Sequence, residues 1–145
     1  MTLEFIKFNG YSELLNIALN IRREVFVEEQ QIYASLEFDG EDNNCEHYLL
    51  YSDKIPVATC RLRKTTEGLK IERFAVLRKF RKRGLGKLLL EKILNDNLGK
   101  EEKIYLNSQN SALSFYQKNG FKIVGNKFYE ADIEHYKMVF THKMV

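Results

Sequence analysis

The chain has 145 residues, 44% of them hydrophobic and 12% aromatic, enough for one ordinary core, so residues 1–145 are read as a single domain. Its 23 basic and 20 acidic residues leave a net charge of +3, too little for the whole surface to bind a polyanion, so any anion site must come from local clustering. Cys45 and Cys60 are too few for a disulfide framework, and neither has a His or Cys partner at metal-ligand spacing, so no metal is expected. The N-terminal residues lack a basic region followed by an apolar one, and no apolar run approaches the roughly 18 residues of a membrane span. A cytoplasmic protein with no membrane partner is the expectation.

Residues 2–8, TLEFIKF, read as a first strand. Ser12 then offers an N-cap, and Leu14, Ala18, Ile21 and Val25 recur at helical spacing, with Leu15, Leu19 and Phe26 widening the stripe, which predicts a helix over residues 12 to about 28. The segment YASLEFDGEDNNCE is polar and turn-rich. HYLLY and IPVATCRLR form a hairpin across Ser52-Asp53-Lys54, and a turn from Thr65 to Gly68 leads into LKIERFAV, giving three antiparallel strands. LGKLLLEKILNDNLG is a strong helix with Leu85, Leu88, Leu89 and Ile93 on one side and Gly99 as its stop. KIYLN reads as a parallel strand reached by a right-handed crossover. SALSFYQKNG follows as a helix with Ser108 or Asn110 as N-cap and Gly120 as stop, and FKIVGNKFYE and HYKMVFTHKM close the chain as strands. The order β-α-β-β-β-α-β-α-β-β predicts an α/β fold, with a mixed, mostly antiparallel twisted sheet carrying helices on both faces.

Between the third strand of that meander and the helix stands VLRKFRKRGLGK, with six cations (Arg78, Lys79, Arg81, Lys82, Arg83, Lys87) and two glycines. Strand, basic glycine loop, then helix is an anion-binding arrangement, because the first N–H groups of a helix lack intrahelical partners and glycines keep side chains out of the way. The loop lacks the G-x-x-x-x-G-K-[ST] of a Walker loop, and the third glycine of a dinucleotide fingerprint would fall on Leu89. By itself it is equally compatible with a solvated basic turn.

Arg81-Lys82-Arg83-Gly84-Leu85-Gly86 resembles the R-x-x-G-x-G pyrophosphate motif of the GNAT acyltransferases, which move an acetyl group from acetyl-CoA to an amine. Ala112, Phe115, Tyr116, Gly120 and Phe121 match a second signature of that family, A-x-x-F-Y-x-x-x-G-F. Arg23 with Val25-Phe26-Val27 and Glu29-Gln30, and Glu130, Asp132, Ile133, His135 and Met138 near the end, are similar to a subgroup of small bacterial GNAT proteins. The resemblance spans almost the whole chain and implies the fold already predicted. It departs at one point: where the common pattern has an asparagine seven residues before the tyrosine, Gln109 stands here.

The resemblance implies an acetyl-CoA site with the thioester against Phe74, Ala75 and Val76 and the diphosphate on Arg81, Lys82, Arg83, Gly84, Leu85, Gly86 and Lys87, with Gln109 as a further cofactor contact. Catalysis is then direct attack of a neutral amine on the thioester, the oxyanion held by a strand amide near Phe74 to Val76. Tyr116 occupies the general-acid position. From reference values near 10 for tyrosine and 8.5 for a thiol, its proton transfer is uphill by about 2 kcal/mol unless basic neighbours lower the phenol or the proton moves as the C–S bond breaks. A lysine-like amine costs about 4 kcal/mol to deprotonate at neutral pH, so a base is needed. Glu72 is the first candidate and His135 the second, each with a structural alternative: a strand-surface ion pair for Glu72, a hydrogen bond to Glu130 or Asp132 for His135. His47 has weaker claims. Arg23, Glu29 and Arg61 are candidate acceptor contacts, and the acidic run from Glu28 to Asp42 either attracts a cationic amine or is a solvated loop.

The partner expected is therefore a small-molecule or peptide amine, with a homodimer permitted by exposed sheet edges. Nucleic acid is not expected, because the charge is confined to one turn and no aromatic-rich basic groove appears. Two alternatives share the fold: an enzyme like the acyl-homoserine-lactone synthases, which R-E-V-F followed by E-F-D-G-E-D resembles in short, and an acyl-CoA sensor without turnover.

Overall fold

The computed structural model describes residues 1–100 and 103–141. Strand β1 (Leu3–Asn9) leads to helix α1 (Leu15–Arg22), a π-helical segment (Arg23–Glu29) and a four-residue helix α2 (Ala34–Glu37). Strands β2 (Glu46–Ser52), β3 (Ile55–Lys64) and β4 (Leu69–Val76) follow, then α3 (Leu85–Asn97), β5 (Ile104–Gln109), α4 (Leu113–Lys118), β6 (Phe121–Ile123), β7 (Phe128–Glu130) and β8 (Ile133–Phe140). The sheet runs β1-β2-β3-β4-β5-β8-β6, with β7 also paired to β8. Only β4 and β5 are parallel.

Strand alternation sends each sheet residue to one of two cores. Tyr48, Leu50, Leu62, Ile71, Leu106 and Met138 pack against Leu89, Leu90 and Ile93 of α3 and Tyr116 of α4. Phe8, Leu49 and Ala75 on the other face meet Ala18, Ile21, Val25 and Phe26. Helices therefore cover both faces of a mixed, mostly antiparallel sheet, as expected. The β2–β3 hairpin closes on Asp53 and Lys54, both at positive φ (49° and 67°), the geometry of a two-residue turn matched to strand twist.

Three expected boundaries change. The helix predicted over 12 to about 28 is α-helical only to Arg22; beyond it the Gln30 N–H donates to the Val25 carbonyl, five residues back. The wider turn carries Glu28 and Glu29 off the buried stripe that Ala18, Ile21 and Val25 define. The strand predicted over 121–130 breaks at Gly125, whose φ of +81° bends the chain so that β6 and β7 pair with opposite ends of β8. Neither Ser108 nor Asn110 caps α4, which is entered instead through a 3-10 turn over Asn110–Ala112. Positions 142–144 of the last predicted strand lie outside the described residues.

Candidate active site

β4 and β5 pair over three residues only, Leu69–Ile71 with Ile104–Leu106. The cause lies in β4. Arg73 adopts a left-handed φ of +54°, and the β3–β4 register shifts between Thr59 and Arg61, so β4 carries an extra residue and turns away from β5. The gap becomes a cleft of about 970 Å³ that reaches both faces of the sheet. On the bulged side the Leu77 N–H donates to Val57 of β3 at 2.9 Å, so by alternation the Val76 amide points away from β3 and toward the cleft.

At one end of the cleft stands the start of α3. Lys82 (φ +64°) and Gly84 (φ +76°) turn the chain into a helix with no side-chain cap, and the first intrahelical bond comes from the Leu88 N–H. The amides of Leu85, Gly86 and Lys87 are thus left for an external acceptor. A Cβ built on Gly84 would meet nothing within 4 Å, so the approach is open. Lys82, Gly84, Leu85, Gly86 and Lys87 line the cleft; Arg83 is not among its walls, and its guanidinium lies 5.4 Å from the Phe80 ring centroid. Arg81 lines the cleft but is engaged: Nε donates to the Val76 carbonyl at 2.9 Å, and Nη1 and Nη2 grip both Glu29 oxygens at 2.6 and 2.8 Å. That fork holds the Glu29 carboxyl below its ordinary pKa. Gln109 likewise reaches across the mouth, its Nε2 donating to Gln30 at 2.7 Å.

Tyr116 enters from α4, ringed by Phe74, Phe115 and Phe121 in edge contacts at centroid separations of 6.1, 5.1 and 5.7 Å. It lines the cleft, and among the described residues no hydrogen bond holds its hydroxyl. Burial pushes its pKa up, the opposite of what basic neighbours were expected to do. His135 comes from β8 on the far wall. Its Nδ1 lies 2.7 Å from the Ile133 carbonyl, not from Glu130 or Asp132, and the ring stacks on Phe128 at 5.9 Å. Because a carbonyl only accepts, Nδ1 carries the hydrogen, so in the neutral ring Nε2 is the nitrogen with the lone pair.

Two candidates have other work. Glu72 was the first choice as base, yet its carboxylate is gripped by Arg61 Nη2, by Arg63 Nε at 2.8 Å and by Lys70 at 3.4 Å. Burial raises its pKa, but these cations outweigh that and the net shift is downward, which opposes proton uptake. Arg61, a candidate acceptor contact, is 0% exposed and also binds Asp39 at 2.9 and 3.0 Å and Asp42 at 3.1 Å. It cannot reach an acceptor. Arg23 stays outside the cleft walls, exposed and 4.8 Å above the Phe38 ring. His47 is buried away from the cleft, Nε2 2.9 Å from the Asp42 carbonyl. Burial pushes the Cys45 thiol up to about 11 and raises Cys60 as well, so neither is a nucleophilic thiolate.

In the acidic segment Glu37, Asp39 and Asp42 are held by arginines, while Glu28 and Glu41 stay exposed. Arg22, 1% exposed, holds Glu37 at 2.8 Å and Asp42 at 2.6 Å, while Arg73 reaches Glu37 at 3.1 Å and Asp39 at 3.2 Å. Three arginines, Arg22 of α1, Arg61 of β3 and Arg73 of β4, thus pin Glu37, Asp39 and Asp42 in place. Sequence reasoning weighed the carboxylates and arginines separately; their pairing was a possible signal.

No group of three or more metal-ligating side chains occurs among the described residues, nor any helix long and apolar enough to cross a membrane. Residues 12–142 match the family model described as an acetyltransferase (GNAT) domain. The chain is 40% identical over 130 residues to the uncharacterized Bacillus subtilis protein YyaT, covering 86% of each. It is 37% identical over 131 residues to the uncharacterized N-acetyltransferase YjcF of the same organism, covering 88% of this chain and 92% of that one. Its fold matches a solved acyl-CoA N-acyltransferase from Pseudomonas aeruginosa with a TM-score of 0.85 at 28% identity, over 97% of this chain and all of the other. A sheet split by a β4 bulge, an open glycine loop at the split and a family match over nearly the whole sequence agree: the chain belongs to the GNAT acetyltransferases.

Proposed function

We propose that the protein transfers an acetyl group from acetyl-CoA to a primary amine by direct attack within a ternary complex. The observation that carries this reading is the cleft between β4 and β5, which joins an open helix start on one side to a lone-pair-bearing imidazole on the other. The α3 amides with Arg81, Lys82 and Lys87 suit the donor's diphosphate, once Arg81 exchanges Glu29 for phosphate. Arg83 is left for the solvent-side phosphate or for none. Gln109 would make its donor contact only by releasing Gln30. Phe74, Ala75 and Val76 flank the thioester, and the Val76 amide supplies the oxyanion donor.

The acceptor ammonium gives a proton to His135 Nε2. The freed lone pair attacks the thioester carbon, a C–N bond forms, the C–S bond breaks, the departing sulfur takes the Tyr116 proton, and the new amide nitrogen loses its second proton to water. Solvent then resets both side chains. Glu29 serves this scheme as the counter-ion of Arg81, with acceptor contact only after that exchange. Since both cysteines are protonated and buried, no covalent enzyme intermediate is invoked.

Calorimetry with acetyl-CoA tests the donor site. Wild type should bind one equivalent, and Gly84→Val should weaken binding about tenfold or more, because its side chain fills the open approach. As φ +76° strains valine, circular dichroism confirms folding first. Undiminished affinity in a folded variant removes the loop from the site. Thiol release across a panel of amines tests transfer, and stoichiometric binding without release with any amine would favour a sensor.

A further inference from the structure

The cleft is lined by both carboxylates and apolar side chains. Three carboxylates line the cleft: Glu37 and Glu72 are neutralised by arginines, while Glu130 meets no cation among the described residues, its Oε1 accepting only from Asn107 Nδ2 at 3.3 Å. Glu130 opposes Ile133 across the two-residue turn at Ala131 and Asp132, which places it diagonally across from His135, about 7–8 Å away along the same face. Ile32, Leu36 and Phe26 also line the cleft. Leu36 is 51% exposed. The helix that carries it is fixed by Arg22 and Arg73 on Glu37, with Arg73 Nε and Nη2 also donating to the Glu37 carbonyl at 3.2 and 3.1 Å. A short helix is fastened through buried charge, and beside the arginine-paired Glu37 it presents Leu36 to the cleft.

We propose that the acceptor is a monocationic primary amine with an apolar body: Glu130 receives its ammonium beside His135, and Ile32 and Leu36 take the hydrocarbon. This names the substrate class of the acyl-transfer site above and rests on that reading. Ile32 and Leu36 offer no partner to a second charge at the acceptor's far end, and the Glu37 and Arg73 charges nearby are paired with each other, so its desolvation there is uncompensated.

The test compares ethylamine, hexylamine, phenethylamine, 1,6-diaminohexane and 6-aminohexanoate in two ways: thiol release with saturating acetyl-CoA, and calorimetric binding to the protein saturated with coenzyme A. Hexylamine and phenethylamine should exceed ethylamine at least about tenfold in kcat/KM and in affinity, and exceed the diamine and the amino acid by a similar factor. Leu36→Asp should erase the preference for hexylamine over ethylamine, and Glu130→Gln should raise KM for phenethylamine about fivefold, both leaving acetyl-CoA affinity unchanged. Both side chains are exposed enough for the variants to fold. A flat series, preference for the charged-end compounds, variants without effect or no amine binding would each overturn the proposal. Apolar amines that bind through Leu36 and Glu130 without acetyl transfer would instead preserve this subsite and refute the transferase reading.

Discussion

Arg61→Ala destabilises the fold by about 3–5 kcal/mol, read as a lower urea midpoint with an unchanged slope. That is from about a fifth to the whole of the 5–15 kcal/mol typical of a domain, so a clearly lower melting temperature is expected. The cause is what is left behind. Arg61 is wholly buried and contacts Asp39, Asp42 and Glu72; without it Glu72 keeps Arg63 and Lys70 but loses its buried partner, and Asp42 keeps only Arg22. An apolar residue of similar length, in Arg61→Met, costs a comparable amount unless the carboxylates are replaced with it, because the penalty comes from unpaired charge and not from lost volume. A loss below about 1 kcal/mol for both variants would mean that water already reaches the cluster.

The same cluster sets an acid limit. Asp39, Asp42 and Glu72 are partly buried, which raises their pKa values, but arginine hydrogen bonds and charge bring the net below the ordinary carboxylate range. A carboxyl lowered by folding adds stability above its unfolded value, near 4, and loses it as pH falls through the folded value. Glu37 runs the other way, since burial outweighs three arginines and raises it. With three lowered groups against one raised, urea midpoints should be level from about pH 7 to 5 and fall below about pH 4. A midpoint that rises on acidification would contradict the pairing.

Tyr116→Phe lowers kcat for amine acetylation about 100-fold and leaves acetyl-CoA affinity within about twofold. Phenylalanine keeps the three edge contacts to Phe74, Phe115 and Phe121, so only the hydroxyl is removed. Because burial raises the phenol, a separate proton transfer to a free thiolate is more uphill than the reference gap of about 2 kcal/mol. The proton must move while the C–S bond breaks, as charge gathers on sulfur. The phenol also stays protonated across the working range, so the variant should change the rate without moving the acidic limb of the pH profile. An unchanged kcat would assign thiolate protonation to water.

The parts legible in the chain were the local ones. The turn into α3 needs only a few consecutive residues, and Lys82 and Gly84 show in their dihedrals what the glycines announced. The apolar spacing of Leu85, Leu89 and Ile93 likewise predicts the buried side of α3, although Leu88, read as part of that stripe, is exposed, and Tyr116 takes a place in the cleft that its motif implies. What eluded the sequence depended on distant partners. Arg22 meets Glu37 fifteen residues on, Arg61 meets Asp39 twenty-two residues back, and Arg81 meets Glu29 fifty-two residues back. None of these separations has a periodicity to read.

By itself the sequence determined the order of elements apart from α2 and the split of the 121–130 strand, two-sided helix cover and the anion-ready start of α3, because hydrophobic period, glycine dihedrals and unpaired first-turn amides are properties of short segments. Tertiary structure alone decided which carboxylate is committed and which imidazole is available. One extra residue at Arg73 shifts the β3–β4 register, pairs Glu72 with Arg61 and splays β4 from β5, while β8 brings His135 to the opposite wall. In a strand a single-residue shift reverses every side chain after it, and the energy that fixes such a shift comes from partners on other strands.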